Sequence, residues 1–320
     1  MLARSNRRMS NGGKVEIIKP FGEAFELMKK ILFQPFDLKK WFVIGFAAFL
    51  SGHISGVNLP LGNWGSTRTE QSIPSPNLEE WKPWLPIILT VFVIAILILV
   101  VLFTWLKARG NFIFTDCIAR NRAAIAAPWR EYRREGNSYF LFLLLVGFGA
   151  MSIFGLLALC TFLFPLLGHH ASNATMTPLL IVFLIVFLLI WIGFAFVFGV
   201  ISYFMVPLMY VRRCRVAEAF RQVAALFFEQ PGPFILFCLF GFCLLLGAAM
   251  VGGVATCLTC CLAALPYLGS VILLPVFVCL RAYGLFFIRQ FGPDYDVWAA
   301  VAQSSSALPT EPPIPPPLPA

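Results

Sequence analysis

Long runs of apolar residues alternate along the chain with short stretches dense in lysine and arginine. Six apolar runs stand out: Trp41 to about Val57, Leu85 to Leu106, Ser138 to about Leu167, Leu179 to Tyr210, Pro233 to about Cys257, and about Leu268 to Ile288. A bilayer's hydrocarbon core is about 30 Å thick, which roughly 20 residues cover at about 1.5 Å per residue. The run from Leu85 to Leu106 carries no charge, whereas the first run is short and holds Ser51, His53 and Ser55. The pattern predicts an all-α, polytopic integral membrane protein with six transmembrane helices.

The polar stretches have a periodicity of their own. Between Phe21 and Pro35 the chain reads FGEAFELMKKILFQP, and between Val216 and Pro231 it reads VAEAFRQVAALFFEQP. A shift of 195 aligns Glu218 with Glu23, Ala219 with Ala24, Phe220 with Phe25, Val223 with Met28, Leu226 with Ile31 and Phe227 with Leu32. Positions 21, 24, 25, 28, 31 and 32 share one face of a helix, and Glu23, Glu26, Lys29 and Lys30 take the other. Each segment reaches a proline, which lacks an amide donor and restricts its predecessor. A weaker counterpart, AAIAAPWREYRREGN at 123–137, precedes the third run. The expectation is therefore three hairpins, each preceded by an interfacial amphipathic helix, spanning residues 18–300. The basic segment 1–17 and the proline-rich tail 301–320 are expected to be disordered.

Composition strengthens the membrane assignment. Of 320 residues, 59% are hydrophobic and 12% charged, with a mean hydropathy of +0.84; soluble domains are about one-quarter charged. So little charge excludes an ordinary soluble enzyme, a disordered chain and a coiled coil. The net charge is +9. Lysine and arginine number 9, 2, 7, 0, 4, 0 and 1 in the seven segments outside the predicted spans. That alternation follows the positive-inside rule and puts both termini in the cytoplasm. Lys29, Lys30, Lys39, Lys40, Arg130, Arg133, Arg134, Arg212, Arg213 and Arg215 are expected to face anionic lipid head groups. No basic groove or base-reading motif suggests nucleic acid. No apolar stretch follows Arg4, Arg7 and Arg8 before Trp41, so no cleavable signal peptide is expected.

Candidate chemistry is sparse. Arg281 is the one charge well inside a predicted span. It has two readings: a side chain that snorkels to the cytoplasmic face or forms a structural pair, and an ion or substrate site. Asp116 follows the second span, with Arg109 two turns before it on the same helix face, and a structural ion pair is expected there. His53, His169 and His170 lack ligand-spaced partners and are expected at the surface. Cys257, Cys260 and Cys261 lie at the outer end of the fifth span, where packing or a disulfide would serve. Ala195 with Gly199, Ala248 with Gly252 and Ala249 with Gly253 are small-residue pairs that allow close helix approach. No nucleophile–base pair, phosphate loop or intramembrane carboxylate pair is present, so no catalytic residue, metal or cofactor is expected.

The stretches LFQPFDLKKWFVIGFAAFL, RGNFIFTDCIARNRAAIAAPW, FMVPLMYVRRC and FFIRQFGPDYDVW resemble a family of uncharacterised bacterial polytopic membrane proteins. These in turn resemble the membrane domain attached to some glycerophosphoryl diester phosphodiesterases. The resemblance covers roughly residues 18–300. It implies a membrane fold in the bacterial inner membrane, but the phosphodiesterase's catalytic barrel is absent and no catalytic residue carries over. The expected role is a non-enzymatic scaffold that organises lipid or partners at the cytoplasmic membrane. The alternative is a transporter or channel for a small solute, suggested by the repeat and Arg281.

Overall fold

The computed structural model describes residues 15–52, 84–167, 173–259 and 266–306; for 162–167, 173–180, Pro266 and 304–306 it describes the backbone alone. All regular elements among the described residues are helical: α1 (Ile18–Leu32), α2 (Leu38–Leu50), α3 (Leu85–Ala119), α4 (Ala126–Glu131), α5 (Arg133–Leu167), α6 (Asn173–Arg212), α7 (Val216–Glu229), α8 (Pro231–Leu258), α9 (Pro266–Ile272), α10 (Leu274–Arg289), a short 3₁₀ turn (Pro293–Tyr295) and α11 (Val297–Ser306). Helices α3, α5, α6 and α8 are each long and apolar enough to cross a membrane. This is a membrane protein.

These four helices correspond to the second to fifth predicted spans. All four outrun the hydrocarbon core. At about 1.5 Å per residue, the 35 residues of α3 extend about 52 Å, some 20 Å beyond a hydrocarbon core of about 30 Å. Their outer parts, residues 85–103, 141–159, 181–196 and 235–258, present rows of exposed Leu, Ile, Val and Phe. Such surface is stable in lipid and not in water.

The first and sixth predicted spans differ from expectation. Helix α2 has 13 residues, about 20 Å, and residues from His53 to Pro83 lie outside the described part. The sixth is two helices, α9 and α10, separated at Leu273. Proline explains the break: Pro275 has no amide to donate to the carbonyl of Val271, four residues earlier. The indole Nε1 of Trp41, on α2, donates to that oxygen at 2.7 Å.

Among the described residues the core lies at one end. The α2 start meets the α3 end, where Lys40 Nζ donates to Asn121 Oδ1 at 2.8 Å. The α5 start packs there through Tyr132 against Phe112, and the α6 end through Tyr210 against Tyr132. Phe204 of α6, Phe234 and Phe237 of α8 and Phe287 of α10 form an aromatic cluster with centroids 4.5–5.6 Å apart. Helix polarity thus alternates, and the ends bearing most of the lysine and arginine gather in one packed layer.

Helices α1 and α7 lie in this layer. Their apolar faces are turned into the protein rather than toward lipid. In α1, Ala24, Met28, Ile31 and Leu32 are buried, with α10 the principal neighbour; in α7 the aligned residues Ala219, Val223, Leu226 and Phe227 are buried. Amphipathicity fixes which face is covered, not by what. Glu23 and Arg289 join α1 to α10 at 3.0 Å, and Phe21 packs edge-on to Tyr283 and Phe240. The middle segment forms only α4, six residues long, before α5 begins. Part of each predicted disordered end is ordered. Glu16 and Gln290 exchange hydrogen bonds of 2.9 Å, and α11 stacks Trp298 on Phe286.

Candidate functional site

The packed layer holds three separate polar centres and a set of outward-facing cations. The first centre is Asp116, fully buried on α3. Arg122 Nε donates to its Oδ2 at 2.9 Å, and the Tyr210 hydroxyl donates to Oδ1 at 2.9 Å. Arg120 Nε lies 3.1 Å from Oδ1, an ion contact whose angle falls short of a hydrogen bond. Glu131 is a second hub, accepting from Arg120 at 3.1 Å and from Arg213. The Arg213 guanidinium also lies over the Tyr132 ring, 3.8 Å from its centroid, and Tyr132 stacks on Tyr210 at 4.7 Å. Burial pushes the Tyr132 phenol above its ordinary pKa. Helices α3, α4 and α6 are locked here by two carboxylates shared among three arginines, as charge-assisted bonds allow.

Arg109 is not part of that knot, although it shares the helix. Its side chain, 7% exposed, is held by Asn137 of α5, with Nη2 at 2.8 Å and Nε at 3.2 Å from Oδ1. The guanidinium stands over both Trp105 and Trp129, 4.7 and 4.9 Å from the ring centroids. A Cβ at Gly136 would lie 3.1 Å from Arg109 Cγ, so the glycine leaves the room this side chain occupies. The nearest approach of α2 to α3 has the same origin: a Cβ at Gly110 would lie 2.6 Å from the Leu50 carbonyl oxygen.

Arg281 does not snorkel. It is 3% exposed and donates to Thr115 Oγ1 from Nη2 at 2.8 Å and Nε at 3.2 Å. The Tyr203 ring lies 5.3 Å from its guanidinium carbon. Among the described residues no carboxylate stands within ion-pair distance. Thr115 precedes Asp116 on the same helix, yet the two side chains serve different arginines. Arg281, Asp116 and Arg109 therefore form three positions, not one pocket.

The predicted lipid-facing cations divide into two groups. Lys29 pairs with Glu26 at 2.6 Å, Arg212 with Asp294 at 3.1 Å, and Arg213 with Glu131; Lys40 is held by Asn121. Lys39, Arg130, Arg133, Arg134 and Arg215 are exposed, and Lys30 borders a surface groove along α1. Among the described residues none of these six has a carboxylate within 4 Å. His53, His169, His170, Cys260, Cys261 and the tail beyond Ser306 lie outside the described residues. No group of three His, Cys, Asp or Glu among the described residues is placed to hold a metal ion.

Residues 15–289 match the family of unknown function DUF7544. The chain belongs to this family. The matched region of this DUF7544 protein takes in α1 to α10, and therefore all three polar centres. No curated protein and no solved structure matches the chain.

Glu131 and Tyr210 were not singled out from the sequence. The signal for Glu131 was its place among three arginines in WREYRRE; the pairing with Arg120 and Arg213 depends on the fold.

Proposed function

We propose that this is a non-enzymatic protein of the bacterial inner membrane whose basic layer gathers anionic lipid, or a partner carried on it, at the cytoplasmic surface. The observation that carries this is the division of the molecule: apolar helix halves at one end, and at the other a layer in which, among the described residues, arginines tie up Asp116 and Glu131 while Lys30, Lys39, Arg130, Arg133, Arg134 and Arg215 have no carboxylate within 4 Å. Each lysine or arginine close to an anionic leaflet contributes about 1 kcal/mol of attraction. The lysine and arginine counts support both termini lying on the cytoplasmic side. The matching burial of α1 and α7 supports an internal repeat within the same architecture.

The test uses the full chain in vesicles containing spin-labelled phosphatidylglycerol or phosphatidylcholine. Expected is a larger immobilised fraction for phosphatidylglycerol, shrinking as salt screens the cations. Equal fractions for the two lipids at low salt would overturn the proposal.

A further inference from the structure

An apolar groove runs along α3 toward the packed layer. It has a volume of about 520 Å³ and is lined by Leu97, Ile98, Val101, Leu102 and Trp105 of α3 and Phe140 of α5. From Leu97 to Trp105 it follows eight residues of helix, about 12 Å. Trp105 closes the layer end, and Trp129 meets it edge-on at 5.5 Å. Arg109 lies over both rings, as described above. Aromatic side chains in this place suit the boundary between acyl chain and head group, apolar on one side and polar on the other.

The charge beyond the two tryptophans is one-sided. Asn137, the hydrogen-bond partner of Arg109, is neutral. Arg133 opens α5 one turn before Asn137, on the same helix face, and it is itself exposed. Arg130 and Arg134 add two more exposed cations in the same turns of chain. Glu131 is engaged by Arg120 and Arg213 and Glu135 is buried near Arg213, so neither offsets them. An apolar channel, an aromatic collar and an uncompensated guanidinium pair thus follow one another along the seam between α3 and α5.

We propose that this edge binds one anionic phospholipid, with an acyl chain in the α3–α5 groove and the phosphate at Arg133. The proposal rests on the layer lying at the membrane surface, as argued under the proposed function. Recognition is by shape and charge together: the groove accepts any acyl chain, and the arginines favour a head group with net negative charge over a zwitterionic one.

Native mass spectrometry of the full chain, titrated with phosphatidylglycerol or phosphatidylcholine, tests it. One phosphatidylglycerol should bind more tightly than all later ones. Arg133→Gln should weaken that first event about fivefold, the equivalent of about 1 kcal/mol, and leave phosphatidylcholine unchanged. Leu102→Trp, which fills the groove, should remove the first site for both lipids. Lys30→Gln, on α1 beside Phe286 of α10, should leave it intact. Excess glycerol phosphate should not displace the lipid, because the soluble head group lacks the groove contact. Displacement by it, an unchanged first event in Arg133→Gln, or equal losses in Arg133→Gln and Lys30→Gln would overturn the site. The last result would leave a diffuse attraction to anionic lipid standing. No preference for phosphatidylglycerol in the native chain would remove both.

Discussion

Asp116→Asn separates charge from shape in the buried network. Asparagine keeps the volume and an acceptor for the Tyr210 hydroxyl but loses the negative charge facing two guanidiniums. A hydrogen bond to a charged group contributes about 1.5–3 kcal/mol, and Arg122 makes one at 2.9 Å. The Arg120 contact at 3.1 Å lacks hydrogen-bond alignment, and the Arg120 and Arg122 side chains are 24% and 34% exposed. Water therefore recovers part of their hydration, and the second contact adds less than about 1 kcal/mol. The expected loss is about 2–3 kcal/mol. At roughly 2–4 °C per kcal/mol, the melting temperature should fall by about 5–10 °C. The assay is thermal unfolding in detergent, followed by a fluorogenic maleimide that reacts with the buried thiols of Cys117 and Cys279 as they become accessible. A double-mutant cycle with Arg122→Gln should show a coupling of about 1 kcal/mol or more. A fall of less than about 2 °C, or strict additivity in the cycle, would refute the assignment of Asp116 as the anchor of the layer.

Further outcomes follow from single contacts. Gly110→Ala should destabilise by about 1–3 kcal/mol, since its methyl would press on the Leu50 backbone, whereas Gly147→Ala, with open space around it, should be neutral or slightly stabilising in the same melt. Trp41→Phe strips the Val271 carbonyl of its indole donor and should cost about 1–3 kcal/mol, read as a shift in denaturation midpoint. Arg281→Met, which removes a buried charge lacking a carboxylate, should leave stability unchanged or raised if the residue is structural; a reconstituted flux present in the native chain and lost in this variant would favour transport instead. With every other cysteine replaced by alanine, an impermeant maleimide should reach Cys214 only in inverted vesicles and Cys257 only in right-side-out ones. Burial raises the Cys214 thiol above its usual pKa, so the reactive thiolate is scarce at neutral pH and labelling should quicken as pH rises toward that raised value.

Much of the architecture was legible because hydrocarbon imposes a length on apolar runs. The four long helices answer to that rule, and the continuation of α3 past Leu106 could be seen in KARGNFIFTDCIARNR. What escaped was set by contacts between distant residues. The α9–α10 break needs Pro275, which is visible, and Trp41, which lies 230 residues away from the carbonyl it serves. The Asp116 pairing with nearby arginines was foreseeable. The partner of Arg109 was not, because Asn137 comes from the next long helix, 28 residues on. Arg281 was expected to reach for the cytoplasmic face or find a pair, but no local pattern marks Thr115 as its acceptor, 166 residues earlier. The amphipathic faces of α1 and α7 were identified correctly by period; period is silent on whether lipid or protein covers them.

The pairing of α1 with α10 has a consequence for biosynthesis. Residues 18–32 leave the ribosome well before residues 274–289, and their apolar stripe finds its cover only when those have been made. Until then, the nascent polypeptide carries an uncovered greasy ridge beside the translocon. A chain terminated before Leu274 would keep that ridge bare permanently, a ready mark for the proteases that clear unfinished membrane products.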